Sequence, residues 1–328
     1  MSIHRFPSLQ NASFLAYIAD NASLGIHRRG YNGLAALIPR HSGNNLFVPT
    51  YAGLNYETIS LTGMPTYRHE PTKQDHQSKF EPRKEAMYIE SADDREVVLV
   101  QPESPHSGVE ARICFRIAEP HYLHQRIGLT FHKRFCDTDQ ASAFTSLWAS
   151  YLHMPPDRHL YLKPDWQVGD PLDHWFGLTS AGHGATGYQI RRLPDGQRLT
   201  APAHLQAMTR QEPMTQSELA ALTDAGWPPT ALPRAAFASA PLSFYYGFCH
   251  DDLMLLKIFR QPQHFRLAYS PCGGGEEPAW CPAWDYVLKL DDAPTGTTHV
   301  WELCVAVKPF QGRADVIDEV ARYTNCEE

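Results

Sequence analysis

The residue best suited to proton transfer in this sequence is a histidine that lies between two glycines. His183 follows Gly182 and precedes Gly184, so its nearest neighbours carry no side chains that would bury the imidazole. An imidazole titrates at about 6.5 and suits general acid or base chemistry near neutral pH. We therefore predict His183 as the leading acid or base, and a purely structural turn is the alternative.

A second group of polar residues combines arginine, asparagine and glutamate near the amino terminus. Arg28 and Asn32 point to the same side if that segment is extended. Asn55 and Glu57 follow in a tyrosine-rich stretch, and such side chains supply the directional donors and acceptors that hydroxyl groups require. We predict Glu57 as the catalytic partner of His183, and Arg28, Asn32 and Asn55 as ligand-binding. A solvent-facing strand with its turns is the alternative.

A charged segment places Arg83 between Glu81 and Glu85, just before a strand-like run. A guanidinium group binds carboxylates and hydroxyls through several fixed donors. We predict that Arg83 binds the ligand, and a solvated run of charges is the alternative.

The segment 144–151 alternates between two semi-apolar faces and is followed by Pro155 and Pro156. This pattern predicts a central strand that has Trp148 in the core and Tyr151 on the opposite face. Residues at the ends of strands often carry function because a rigid sheet positions them. We therefore predict Tyr151 as catalytic and His153 as ligand-binding.

A glycine-rich loop at residues 273–275 precedes Trp284 and Asp285. Three consecutive glycines allow a ligand to approach the main chain closely. The loop lacks the lysine and the following helix of a phosphate-binding motif. We predict Trp284 as a stacking surface and Asp285 as a hydrogen-bonding partner, and a glycine hairpin with a buried tryptophan is the alternative.

The densest histidine segment holds His121, His124 and His132. On one strand His124 and His132 would lie roughly 26 Å apart, and His121 would face the other side. This segment therefore does not predict a zinc site, although one of its histidines remains a candidate acid or base. We predict no metal and no cofactor.

Composition restricts the partners of the protein. The 328 residues carry 29 basic and 36 acidic side chains, and the net charge of −7 includes no basic block. Nucleic acid is thus not an expected partner. No apolar run reaches 18 residues, and Met1–Gln10 lacks the pattern of a signal peptide. We expect a cytoplasmic protein with no membrane partner, and the sequence does not specify its oligomeric state.

Short alternating or β-branched runs, bounded by proline, glycine, aspartate or asparagine, recur along most of the chain. This pattern predicts an all-β fold, a large antiparallel β-sandwich with few short helices. We expect a single domain over residues 1–328, with an irregular excursion at 63–84 and an insertion at about 193–241. Two helices are expected to be peripheral. One is at Thr215–Asp224, and the other, at 313–323, places Val316, Ile317 and Val320 on one face and closes the carboxyl end.

Several of these segments together resemble an uncharacterised bacterial group of galactose-mutarotase-like β-supersandwiches. They are the HRRGYNG start, the WASY strand, the HG turn, the SPCGGG loop followed by PAWD, and the final strand ending in KPF. The resemblance spans most of the chain. Mutarotases pair a histidine acid with a glutamate base, and His183-Gly184 is the nearest match here.

This resemblance implies a carbohydrate-active enzyme, an epimerase or mutarotase-like isomerase that uses general acid–base catalysis on a sugar. Two alternatives stay open. One is a polysaccharide or glycoside lyase acting by β-elimination, and the other is a non-catalytic sugar-binding protein. In each case the expected ligand is a carbohydrate or glycoside.

Overall fold

The computed structural model describes residues 6–21, 32–48, 53–64, 79–135, 141–163, 175–180, 187–192, 232–233, 242–250, 252–270 and 281–325. Within these ranges antiparallel strands dominate and α-helix is limited to two segments, which confirms the predicted all-β class. No helix in the described part is both long and apolar enough to cross a lipid bilayer.

The described strands run from the amino-terminal edge of the chain to a final helix. They are β1 (Ser8–Gln10), β2 (Phe14–Ala19), β3 (Gly33–Pro39), β4 (Asn55–Leu61), β5 (Tyr88–Ala92), β6 (Glu96–Gln101), β7 (Val109–Ala118), β8 (Tyr122–Phe131), β9 (Phe144–Ala149), β10 (Leu160–Leu162), β11 (Phe176–Ser180), β12 (Gly187–Arg192), β13 (Leu232–Pro233), β14 (Phe244–Phe248), β15 (Leu253–Phe259), β16 (Phe265–Ser270), β17 (Ala283–Leu290) and β18 (Thr298–Pro309). The helices are α1 (Glu81–Lys84) and α2 (Arg313–Asn325).

These strands form three sheets. The largest has the order β13-β12-β11-β10-β14-β15-β18-β8-β7-β6-β5, a four-stranded sheet has the order β16-β17-β9-β4, and the third is β1-β2-β3. Sheets with one apolar face bury that face against another sheet, which yields a sandwich. Strands β9 and β17 are central in the four-stranded sheet, as the alternation of segment 144–151 predicts.

The main core lies between the largest sheet and the two smaller ones. Along β15, Leu255 and Phe259 belong to this core, whereas Leu256 and Ile258 belong to a second apolar cluster on the other face. Successive side chains of a strand alternate between its faces. Lys257 therefore lies on the side of the main core, between Leu255 and Phe259.

The carboxyl-terminal helix α2 covers the second apolar cluster. Val316 and Val320 are fully buried there, and Ile317 packs against the same cluster. The sequence pattern places these three residues on one face, and the structure confirms it. The expectation that the helix is peripheral is wrong, because α2 closes a core that the aromatic residues of β14 and the outer face of β15 would otherwise expose.

A buried carboxylate attaches α2 to the largest sheet. Glu319 has 1% of its surface exposed and accepts hydrogen bonds from Lys308 Nζ at 2.7 Å, Tyr122 Oη at 2.5 Å and Arg322 Nη1 at 3.0 Å. His121 Nε2 lies 3.3 Å from it. Burial alone would raise its pKa, but the bonds from His121, Lys308 and Tyr122 hold the pKa of Glu319 far below its usual 4.5.

Replacing Glu319 with glutamine is expected to lower the free energy of unfolding by about 2 kcal/mol, since charged hydrogen bonds are lost. Because the folded pKa is depressed, the carboxylate stabilises the wild type fully above its unfolded value and loses that effect as the pH falls below about 4.5. Thermal unfolding at pH 7 and pH 3 measures both effects. The exposed neighbour Asp318→Asn is the control, and equal melting temperatures for the two variants at pH 7 would contradict the prediction.

Parts of the predicted organisation lie outside the described residues. They include the helix at Thr215–Asp224 and most of the insertion at about 193–241. At the end of the irregular segment 63–84, residues Glu81–Lys84 form α1, a single helical turn that the sequence did not predict. The single-domain organisation over 1–328 stays a prediction.

Candidate active site

Strand β4 contains a β-bulge at Glu57. Tyr56 and Thr58 pair with consecutive residues of β9, so Glu57 has no residue opposite it. A bulge inserts one unpaired residue and redirects the side chains around it. Consequently Tyr56 and Ile59, three positions apart, both belong to the main core. The carboxylate of Glu57 leaves the regular alternation and meets α1.

Glu57 forms a compact cluster with two other residues that the sequence singled out. Arg83 Nη1 lies 2.6 Å from Glu57 Oε1, and the hydroxyl of Tyr151 donates to both carboxylate oxygens at 3.0 and 3.1 Å. Glu57 and Arg83 are 5% and 7% exposed, whereas Tyr151 is only partly covered. We call these three residues the Glu57 cluster. Tyr151 is the member through which the cluster reaches the surface.

Helix α1 holds Arg83 because its own ends are anchored. The buried carboxylate of Glu81 accepts the backbone N–H groups of His106 at 2.6 Å and Ser107 at 2.9 Å. The side chain of Gln101 donates to the carbonyl of Pro82 at 2.8 Å. These bonds fix a short turn that has little stability of its own. Gln101 carries no sequence signal, since it simply ends an apolar strand.

Asn32 links β4 to α1. Its side-chain nitrogen donates to the carbonyls of Tyr56 at 2.7 Å and Pro82 at 3.0 Å, and its exposed fraction is 1%. Both carbonyls are adjacent in sequence to members of the Glu57 cluster. The structure therefore places Asn32 in a supporting position behind the cluster, and its contact with a ligand stays a prediction.

The phenol of Tyr151 is held in its protonated form. Burial is the main cause that raises its pKa well above the ordinary value of 10.0, and the charges of Glu57 and Asp285 add to the effect. A protonated phenol donates a hydrogen bond, and the Glu57 carboxylate accepts it. The cluster thus offers one proton acceptor that is oriented by a guanidinium and a phenol.

A second carboxylate lies at the same end of the four-stranded sheet. Asp285 Oδ1 accepts the backbone N–H of Ser150 at 2.7 Å, and the residue is 7% exposed. On β17 it alternates with Trp284 and Tyr286, which face the main core. Ser150 immediately precedes Tyr151 in the chain, so Asp285 lies beside the Glu57 cluster.

The structure corrects the prediction that Trp284 is a stacking surface for a ligand, because its indole lies in the core. Trp284 has no exposed surface, and a Cβ atom added at Gly247 would lie 2.3 Å from its ring. Glycine at that position is what lets the ring pack flat on β14. Trp284 therefore fixes the strand that carries Asp285, and its ring has no free face for a ligand here.

Asn55 and His153 also lie near this end of the sheet. Asn55 is fully buried, and among the described residues neither polar atom of its side chain has a hydrogen-bond partner. Buried amides are normally paired, so Asn55 has spare hydrogen-bonding capacity two residues from Glu57. His153 is partly exposed, and its carbonyl accepts a bond from the ring of His250 at 3.0 Å. Their predicted ligand contacts stay predictions.

Two predicted site residues, His183 and Arg28, lie outside the described residues, and so does the glycine-rich loop at 273–275. The histidine segment is described. His121 contacts Glu319, and the ring of His124 packs 5.6 Å from that of Tyr323. Within the described ranges, no group of three or more histidine, cysteine, aspartate or glutamate residues is arranged to hold a metal ion.

A groove of about 420 Å³ lies elsewhere, on the outer face of the largest sheet. Its walls mix both charges, and Arg112 and Arg126 in its lining are ion-paired: Arg112 lies 2.5 Å from Glu90, and Arg126 lies 3.7 Å from Glu302. Arg112, Arg126 and Glu90 are exposed and Glu302 is partly exposed, as is typical of a solvated sheet face. Of the candidate residues from the sequence, His124 lines the groove, whereas the members of the Glu57 cluster do not.

The Glu57 cluster is thus the candidate active site.

No family model matches this chain, and no curated protein matches it. A solved structure named as a putative aldose 1-epimerase from Escherichia coli K12 is similar over 92% of this chain and 98% of its own, with 11% identity and a TM-score of 0.44.

Two larger enzymes are similar to this chain along slightly more than a third of their own length. An alpha-N-acetylgalactosaminidase from Bifidobacterium bifidum covers 97% of this chain at 9% identity and a TM-score of 0.44, and 38% of that enzyme is matched. A heparan sulfate lyase from Pedobacter heparinus covers 93% at 9% identity and a TM-score of 0.38, with 37% of the lyase matched. At such identities and TM-scores, these similarities identify neither the family nor the activity of this chain.

Proposed function

We propose that this protein is a carbohydrate-active enzyme, an isomerase of the epimerase or mutarotase type. The observation that carries the proposal is the Glu57 carboxylate, held between Arg83 and Tyr151 at one end of the four-stranded sheet. The guanidinium of Arg83 and the phenol of Tyr151 hold this carboxylate in one orientation. A fixed, largely desolvated carboxylate is well suited to act as a general base.

In the proposed reaction Glu57 accepts the proton of the anomeric hydroxyl of a sugar. His183 donates a proton to the ring oxygen as the bond between that oxygen and the anomeric carbon breaks. Rotation about the next carbon–carbon bond and closure of the ring, with both proton transfers reversed, give the other anomer. Protons and bonds balance without an external reagent.

The remaining predicted residues bind the sugar in this proposal. Asp285 offers a second carboxylate at the same end of the sheet, and Asn55 is assigned to a hydroxyl group although its unpaired amide is fully buried. An asparagine side chain both donates and accepts, which matches a pair of neighbouring hydroxyls. Arg28 and His153 are expected to complete this binding surface.

The β-elimination alternative receives less support from the same residues. A lyase needs a base for the proton next to the sugar carboxylate, and burial raises the pKa of Tyr151 well above 10.0, so the phenol is a poor base. Arg83, the candidate partner of a uronate, is already bound to Glu57. A non-catalytic sugar-binding protein remains the second alternative, because a binder needs no proton donor.

The first test is the exchange between anomers of common aldoses, measured by NMR with wild type and His183→Ala. We expect wild type to accelerate exchange, and the variant to lose about 10²- to 10⁴-fold of the rate while it keeps its affinity for the sugar. His41→Ala, at an exposed histidine, is the control. A wild type that binds sugars without accelerating exchange would identify a binder. Formation of an unsaturated product from a uronate polymer would identify a lyase.

A further inference from the structure

Behind the candidate active site lies a lysine with no exposed surface. Lys257 sits on β15 between Leu255 and Phe259, on the side of the main core. Lysine is almost never fully buried unless its charge is compensated, because desolvation of an ammonium group is costly. The contacts of the Lys257 side chain must therefore offset the cost of burying its charge.

The ammonium group of Lys257 is well compensated. Its Nζ donates to Ser150 Oγ at 2.8 Å and to the carbonyl of Trp284 at 2.7 Å. The rings of Tyr245 and Tyr286 lie 5.4 and 5.6 Å from Nζ, within the range of cation–π attraction. Two oxygen acceptors and two aromatic faces thus surround the charge. Because Ser150 and Trp284 belong to the side of the four-stranded sheet, the lysine on β15 links the two sheets.

Ser150 connects this lysine to the candidate site. Its backbone N–H donates to Asp285 at 2.7 Å, and its Oγ also accepts the N–H of Leu54 at 3.1 Å. The next residue in the chain is Tyr151, whose hydroxyl binds Glu57. Lys257 thus holds Ser150. This residue follows β9 and is bonded to Leu54, just before β4, and to Asp285 on β17.

We propose that Lys257 is a positioning residue that holds Ser150, and through it Tyr151 and Asp285, in the geometry with which the Glu57 cluster binds and converts a sugar. The sugar-related part rests on the function proposed above. The structural part, that Lys257 sets the surroundings of Tyr151, is testable without any sugar.

The groups around Lys257 make the effect depend on pH. Burial, opposed by the charge of Asp285, lowers the pKa of Lys257 to about 7. Burial also raises the pKa of the Cys249 thiol to about 12 and the pKa values of Tyr245 and Tyr286 well above 10.0. Among these four groups the lysine alone changes charge near neutrality, so its contact with Ser150 weakens as the pH rises through 7.

The test uses protein labelled with ¹³C at the ζ carbon of tyrosine, in which loss of a signal in Tyr151→Phe assigns Tyr151. We expect the wild-type Tyr151 signal to shift with a midpoint at about pH 7. The signal is expected to stay fixed in Lys257→Met and to shift as in wild type in Lys289→Met, a partly exposed lysine on β17. A wild-type signal that does not move, or one that moves equally in Lys257→Met, would overturn the proposal.

Ser150→Ala is the second variant, since Lys257→Met removes a core side chain and is the harder protein to fold. It keeps Lys257 and the hydrogen bond from the Ser150 backbone to Asp285. It deletes Ser150 Oγ, the atom that accepts the bond from Lys257. We expect the Tyr151 titration to disappear and the catalytic rate to fall by about tenfold or more. A folded Ser150→Ala protein that retains the titration contradicts the inference. Absence of sugar conversion in wild type contradicts only the proposed function.

Discussion

Glu57→Gln is expected to reduce the rate of anomer exchange by about 10²- to 10⁴-fold, the usual contribution of a general base. Glutamine keeps the shape of the side chain and its bond from Tyr151, but it cannot accept a proton at neutral pH. Binding of the sugar is expected to weaken much less than the rate. NMR exchange rates and calorimetric affinities for the same sugar measure the two effects separately.

The control for this variant is Glu90→Gln, which removes an exposed carboxylate that also pairs with an arginine. Its exchange rate is expected to equal that of wild type. A folded Glu57→Gln protein with the wild-type rate would remove Glu57 from the mechanism, and the base would then have to be sought among the other carboxylates at that end of the sheet.

Arg83→Met is expected to have the largest effect on stability, with a loss of about 3–5 kcal/mol in the free energy of unfolding. The substitution leaves the Glu57 carboxylate, only 5% exposed, without the guanidinium at 2.6 Å. The double variant Glu57→Gln with Arg83→Met is expected to recover part of this loss, because no uncompensated charge remains. Urea denaturation of the single and double variants measures the coupling.

The matched control for the ion pair is Arg112→Met. Its pair with Glu90 is largely exposed, with side-chain exposures of 54% and 41%, and surface pairs contribute about 0–1 kcal/mol. If Arg83→Met and Arg112→Met lose equal stability, the Glu57 cluster is not a desolvated ion pair, and its role as a fixed base loses its physical foundation.

Local patterns predicted much of the scaffold around the site. The alternation of segment 144–151 predicts Trp148 in the core and Tyr151 on the opposite face, and both placements are confirmed. The face of the closing helix that carries Val316 and Val320 is confirmed in the same way. Such features depend on the period of a strand or a helix, which neighbouring residues in the sequence determine.

Other features were missed because they depend on partners far along the chain. The bulge at Glu57 is defined by how β4 pairs with β9, and no residue near Glu57 in the sequence predicts it. Lys257 reads as the exposed position of an apolar strand, since a lone lysine is usually solvated. Trp284 lies at the start of a strand after a glycine-rich loop, yet Gly247 on another strand provides the space that buries it.

By itself, then, the sequence determined the all-β class, the faces of its clearest strand and final helix, and a set of polar residues suited to binding and proton transfer. Only the tertiary structure decided that Glu57, Arg83, Tyr151 and Asp285 share one end of a sheet, and that Asn32 and Lys257 support them from behind. The physical reason is the distance along the chain over which each kind of interaction acts. Periodicity and turn preference act between residues a few positions apart, whereas a site is assembled by strand pairing and packing between residues separated by up to hundreds of positions.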